Sequence, residues 1–255
     1  MSSETRQHIW RPRIHNGLLI IGLLFIVIGL PFSNVMMSTG QFIIAGNWIL
    51  EGRYAEKLRS LFKNKLALIL ISLYVLHVLG LLWTTDVAYG LRDLRIKLPL
   101  FLLPFLLFTS PLISKKQYKW LLGIFVLSVT ITSFFSYAIY LGYTGEEILN
   151  RRKMTFIPHI RFALMNVLAM GIVSYYLIRD RTKSNIVLKF AMIATVVWLF
   201  YFQVLLESAS GFAALAVLLA YLVLRGILHG GGKYVRLSLA VVAVVGAIGT
   251  SVYIN

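Results

Sequence analysis

Long apolar runs, each closed by charge, Pro or Gly, recur along the whole chain. Nine stand out, at 16–30, 34–50, 66–83, 98–113, 120–141, 162–178, 187–206, 211–224 and 237–254. A helix needs about 20 residues to cross the hydrocarbon of a bilayer, and only a helix or a closed barrel satisfies its own backbone polar groups there. The pattern therefore predicts an all-α fold: a polytopic transmembrane helical bundle of about nine spans. It forms one membrane domain, with a short cytoplasmic arm at 1–15 and the bundle over 16–255. The first two runs are joined only by Pro31, Phe32 and Ser33, and the fourth carries Pro99 and Pro104, so these spans are expected to be short, tilted or kinked.

Composition agrees. Hydrophobic residues make up 59% and charged residues 13% of the chain, with a mean hydropathy of +0.82; a soluble domain has roughly 45–50% and about 25%. The 255 residues leave no room for a separate soluble domain beside the spans. Cys is absent, which excludes disulfides and thiolate metal sites. The first run follows Arg6, Arg11 and Arg13 like the apolar core of a signal sequence, but no cleavage pattern follows it and further spans do, so an uncleaved first helix is expected.

Charge adds orientation. The 25 Lys and Arg against 9 Asp and Glu give a net charge of +16, yet the cations are dispersed among short loops instead of forming one basic patch, which argues against nucleic acid as a partner. Their place is beside membrane lipids. With the N-terminus inside, 18 of the 25 fall on the cytoplasmic side and 7 outside, so the positive-inside rule favours a cytoplasmic N-terminus. Trp48, Trp83 and Trp120 fall at span ends, where indole rings sit at headgroup depth, whereas Trp198 falls mid-span. Small residues at helical spacing, Ala209 with Ala213, Ser210 with Ala214 and Ala243 with Ala247, allow close helix packing. Gly230, Gly231 and Gly232 read as a flexible turn with no phosphate-loop context.

Candidate chemistry lies on the outer side, where cations are disfavoured and two clusters nevertheless occur. One is Arg92, Arg95 and Lys97; the other is Arg151, Arg152, Lys153, His159 and Arg161. Guanidinium forks bind phosphate oxygens in bidentate fashion, and a lipid-linked pyrophosphate would be a fitting anion. Ordinary ion pairing is the competing reading, of Asp86 and Asp93 with the first cluster and of Glu146 and Glu147 with the second. Arg161 differs, because it opens an apolar helix directly after Pro158, His159 and Ile160, and an ionisable group at the hydrocarbon edge points to function. His159 could serve as acid, base or phosphate contact, against the simpler reading of a tolerated interfacial residue. Mid-span His77 reads as a polar group for helix packing, and Glu207 either pairs with an outer Arg or marks a turn.

No H-E-x-x-H, loop D-x-D, G-x-S-x-G or Walker pattern is present, so metal hydrolysis, nucleotide-sugar binding, serine hydrolysis and ATP use lack a signature, and no cofactor is expected. The strings LLWTTDVAYGLRDLRIKLPLFLLP, KMTFIPHIRFALM and VLLESASGFAALAVLLAYL resemble the O-antigen ligase and polymerase family, in the forms seen in Bacteroidetes-type bacteria, over about residues 47–225. That resemblance implies a multi-span enzyme of the bacterial inner membrane, acting in lipopolysaccharide or surface polysaccharide biosynthesis. It would take a glycan from undecaprenyl pyrophosphate at the periplasmic face and pass it to lipid A-core sugar or to another repeat unit. It also implies a metal-free glycosyl transfer in which periplasmic Arg residues hold the pyrophosphate, with Arg161 carried over as one such contact. Two departures stand out. Relatives carry Arg where this chain has Gly211, and the large periplasmic loop whose His would act as base is absent, so the chain is expected to be the N-terminal portion of such an enzyme and no catalytic residue is assigned. Alternatives from other classes are a transporter or flippase of an anionic lipid or solute, weakened by the lack of an internal repeat, and a noncatalytic truncated membrane protein.

Overall fold

The computed structural model describes residues 3–111, 113–143, 154–179 and 185–228, with side chains described from residue 14 to residue 225 within those stretches. The ninth apolar run, the glycine triplet at 230–232 and the Ala243 and Ala247 pair lie outside the described residues. Nine α-helices occur among those described: α1 (Ser3–Phe32), α2 (Asn34–Glu51), α3 (Tyr54–Lys63), α4 (Lys65–Gly80), α5 (Val87–Thr109), α6 (Lys115–Tyr140), α7 (His159–Arg179), α8 (Ile186–Leu205) and α9 (Ala209–Leu228). The described residues contain no strand, as an all-α membrane protein requires.

Among the described residues, five segments are long and apolar enough to cross a membrane: Ile14–Phe32, Lys65–Trp83, Lys115–Tyr140, His159–Arg179 and Ile186–Leu205. The part of α9 with described side chains, Ala209–Arg225, is apolar as well. α2 falls outside the set because Asn34, Gln41, Asn47 and Glu51 interrupt it, and α5 because Arg92, Asp93, Arg95 and Lys97 occupy its first half. Helix structure also extends beyond the apolar runs. The arm before residue 16 continues α1, and the basic connection at 51–65 contains α3. Asn64 begins α4 by accepting from the amides of Leu66 and Ala67, and Asp86 begins α5 by accepting from Tyr89 N, so the capping residues move the helix starts upstream of the apolar positions. α5 runs through Pro99 and Pro104; each proline removes an N–H, leaving the carbonyls of Arg95 and Leu100 without their usual helical donors.

The chain divides into two compact units, Met1–Gly29 with Val35–Leu121, and Leu30–Asn34 with Leu122–Asn255. In the first, α1 and α2 pack as an antiparallel hairpin with glycines at the crossing. A Cβ on Gly40 would lie 2.6 Å from the Gly22 carbonyl oxygen, and one on Gly22 would lie 2.5 Å from Ile44 Cγ1. Further along the hairpin His15 Nδ1 meets Asn47 Oδ1 at 2.7 Å, and Asn47 Nδ2 donates to the His15 carbonyl at 3.0 Å. After α2, Lys57 turns inward, 3.0 Å from Glu51 Oε2, with both side chains more than nine-tenths buried. Its ammonium also donates to Trp48 O at 2.8 Å and lies 4.6 Å from the centre of the Trp48 ring, while Trp48 Nε1 donates to Thr109 Oγ1 on α5 at 2.8 Å. Trp48 is thus a packing residue, whereas Trp83 and Trp120 are exposed. In the second unit Trp198 is explained by a partner on α6: its indole N–H donates to Ser133 Oγ at 2.7 Å and its ring stacks on Phe134 at 4.0 Å.

Helix packing through Gly40 makes a prediction. Gly40→Val forces side-chain atoms against the Gly22 backbone and should cost about 1–3 kcal/mol, read as a lower midpoint in thermal unfolding of the detergent-solubilised protein. Gly46→Ala, with no neighbouring atom within 4 Å of its Cβ position, should leave that midpoint unchanged or raise it. Equal midpoints for Gly40→Val and the native chain would contradict the hairpin.

Candidate functional site

The second unit gathers polar groups at one end of three packed helices. Pro158 precedes α7, and its carbonyl accepts the first helical bond, from Phe162 N at 3.1 Å. The stretch before it is held by buried Met154 and Ile157, and the Phe156 ring lies 5.1 Å from Phe32 in the turn between α1 and α2. That turn ends at Asn34, whose Oδ1 accepts a hydrogen bond of 3.1 Å from Arg161 Nη1. Arg161 is exposed, and the ion pairs among the described residues do not include it.

Below this end α7 packs on α8 and α9 with defined directions. Phe162 meets Phe202 at 5.6 Å, and Asn166 Nδ2 donates to the carbonyl of Leu199 at 2.8 Å and to Gln203 Oε1 at 2.9 Å, so α7 and α8 are antiparallel. Ala163 lies beside Gly211 and Gly171 beside Leu218, so the positions advance together and α7 and α9 run parallel. Two helix N-termini therefore share one end, each with a partial positive charge of about half an elementary unit from its unpaired amides. Ser208 Oγ accepts from Gly211 N at 3.3 Å and lies 3.3 Å from Ser210 Oγ. The arrangement offers an exposed guanidinium beside two positive helix ends.

Gly211 sits tightly between α7 and α8. A Cβ there would collide with the amide nitrogen of Gln203 and come within 2.8 Å of the Ala163 methyl. An arginine at this position has no room in this packing. Among the described residues, α7 supplies Arg161 at this end.

The structure separates the remaining sequence-predicted residues. Arg92 and Arg95 lie not in a loop but on α5, one turn apart on one helix face, exposed and outside the ion pairs among the described residues. The ion-pair reading holds there for Lys97, which contacts Asp93 at 2.7 Å; Asp86 caps the helix. This cluster belongs to the first unit and Arg161 to the second. His159 is the first residue of α7 and is half-buried. Arg151, Arg152 and Lys153, together with Glu146 and Glu147, lie outside the described residues. His77 is exposed on α4 and bonds the Leu73 carbonyl of its own helix at 2.7 Å, so it does not join helices. Glu207 occupies the left-handed turn between α8 and α9, with φ 49°.

Sequence reading missed Asn34, Asn166 and Gln203. Their signal was present, since a carboxamide inside an apolar run must find a partner across a helix interface. Comparison with known protein families, curated proteins and solved structures finds no match.

The buried amide pair supplies a test. Asn166→Ala leaves Gln203 Oε1 and the Leu199 carbonyl without their shared donor and should cost about 1–3 kcal/mol, measured as loss of thermal stability. The double change Asn166→Leu with Gln203→Met removes both partners and should cost less than Asn166→Ala alone; a larger cost would show that the amide pair does not act as one unit.

Proposed function

We propose that the chain is a multi-pass protein of the bacterial inner membrane, with about nine spans and a cytoplasmic N-terminus. In this reading it holds a glycan carried on undecaprenyl pyrophosphate at the periplasmic face, in the manner of O-antigen ligases and polymerases. The acceptor is lipid A-core sugar or a further glycan repeat, and the pathway is lipopolysaccharide or surface polysaccharide synthesis.

The observation that carries the reading is the state of Arg161. Among the described residues its partner is Asn34, a neutral amide, which orients the guanidinium without neutralising it. A guanidinium next to a carboxylate is electrically spent; one held by an amide keeps its charge for a ligand. Arginine suits a diphosphate better than lysine does, because its planar fork can engage two phosphate oxygens at once. The paired N-termini of α7 and α9 add a field of the same sign at that end. When a glycosyl bond to the diphosphate breaks, negative charge builds on the departing phosphate oxygen. A fixed positive group there favours departure and needs neither metal nor nucleotide. Arg92 and Arg95 on α5, and Arg151, Arg152, Lys153 and His159, are further candidate contacts for the donor.

Binding of undecaprenyl pyrophosphate to the full chain in lipid nanodiscs tests this. Arg161→Ala should weaken binding about 10- to 100-fold, with Arg161→Lys intermediate and Asn34→Ala smaller. Uncharged undecaprenol should bind the native and variant chains alike. Unchanged diphosphate affinity in Arg161→Ala would remove Arg161 from the site and the reading with it.

A further inference from the structure

We propose that α3 lies in the plane of the membrane boundary and forms, with the start of α4, a binding surface for acidic phospholipid headgroups. The inference is independent of the glycan-donor reading, because it concerns the other unit and a different ligand.

Ten residues give α3 three distinct faces. Lys57 and Leu61 are buried, the first clamped between Glu51 and Trp48 as described above. Tyr54, Leu58 and Phe62, at four-residue spacing, form an apolar stripe that is exposed, Phe62 to 69%. Arg59 and Lys63 occupy the remaining side, also exposed, and Lys65 follows at the start of α4. A short helix with one face on the protein, one greasy face uncovered and one cationic face has the arrangement of an interfacial amphipathic helix, here tethered at both ends.

Two observations commit the occupant to a bilayer with acidic headgroups. First, the start of α4 just after it also leaves apolar side chains uncovered, Leu66 to 56% and Ile69 to 61%. α4 belongs to a segment apolar and long enough to span a membrane, and only 6% of that apolar window is buried within the protein. A bilayer around that segment would cover α4, and the same boundary would reach Phe62, Leu58 and Tyr54. Second, the charges beside the stripe are unspent. Arg53 meets Glu51 at 3.3 Å and Glu56 at 3.9 Å, but Arg59, Lys63 and Lys65 make no ion pair among the described residues. Three such cations at headgroup depth favour an anionic lipid, each by about fivefold in local partition. The buried Lys57–Glu51 pair keeps this face turned outward, because rolling the helix would pull a paired charge out of its site.

The natural lack of Cys makes the experiment direct. A bimane probe is placed at Phe62→Cys in the full chain, reconstituted in vesicles of phosphatidylcholine and phosphatidylglycerol, with one lipid or the other brominated. The lipid quenches the probe, and at equal mole fraction brominated phosphatidylglycerol should do so about twofold or more better than brominated phosphatidylcholine. The same probe at Ser60→Cys, toward the polar side, should be quenched weakly by both. Adding Arg59→Gln, Lys63→Gln and Lys65→Gln, all exposed positions, should equalise the two lipids while residue 62 stays quenched. Absence of quenching at residue 62 would overturn the interfacial placement. Equal quenching in the native background, or an acidic-lipid preference that survives the triple change, would overturn the headgroup surface.

Discussion

Inside hydrocarbon a polar group has no water to bond, so each must find its partner within the protein. Much of the described structure follows from that constraint. The backbone is spent on helices. Hydroxyls return to their own helix, as Thr130 to the Val126 carbonyl and Thr195 to the Ala191 carbonyl. Larger groups pair across interfaces and thereby choose the packing: Trp198 with Ser133, Asn166 with Gln203, His15 with Asn47, Lys57 with Glu51. Against this background an exposed cation whose partner among the described residues is a neutral amide stands out. Arg161 is such a group, and for that reason it, and not the more numerous loop cations, carries the functional reading.

The parallel course of α7 and α9 matters as much as the arginine. Helices joined by tight turns run antiparallel and cancel their dipoles at each end. Because α8 intervenes, α9 returns in the direction of α7, and the contacts Ala163 with Gly211 and Gly171 with Leu218 bring their positive ends together. Small residues make that approach possible, and Gln203 occupies the space a longer side chain at 211 would need. Packing, polarity and charge at this end are thus one feature of the same three helices.

Apolar run length made the all-α class and most helix positions legible, while the polar residues within α2 and the charges of α5 keep those two helices out of the five spanning segments found among the described residues. It did not place the start of α5, which Asp86 sets well before the apolar run because Arg92, Asp93, Arg95 and Lys97 occupy the intervening turns. α3 was hidden for a related reason: its apolar residues recur every fourth position among charges and form no run. At the candidate site Arg161 was legible from its place beside Pro158, while Asn34 was not, as 127 residues separate the partners and only the fold brings them together. Arg92 and Arg95 show the converse: charges that interrupt the apolar pattern lie on the exposed face of a helix.

The account turns on which compartment the Arg161 end faces. In a chain that naturally lacks Cys, a single Tyr143→Cys probes it, since residue 143 closes α6 in the turn preceding that end and is 81% exposed. Reaction with a membrane-impermeant maleimide in intact spheroplasts is the predicted result, with Lys119→Cys at the opposite end of α6 reacting only after lysis. Labelling of residue 143 only after lysis would contradict the account, because a positive site open to the cytosol cannot meet a glycan donor displayed outside.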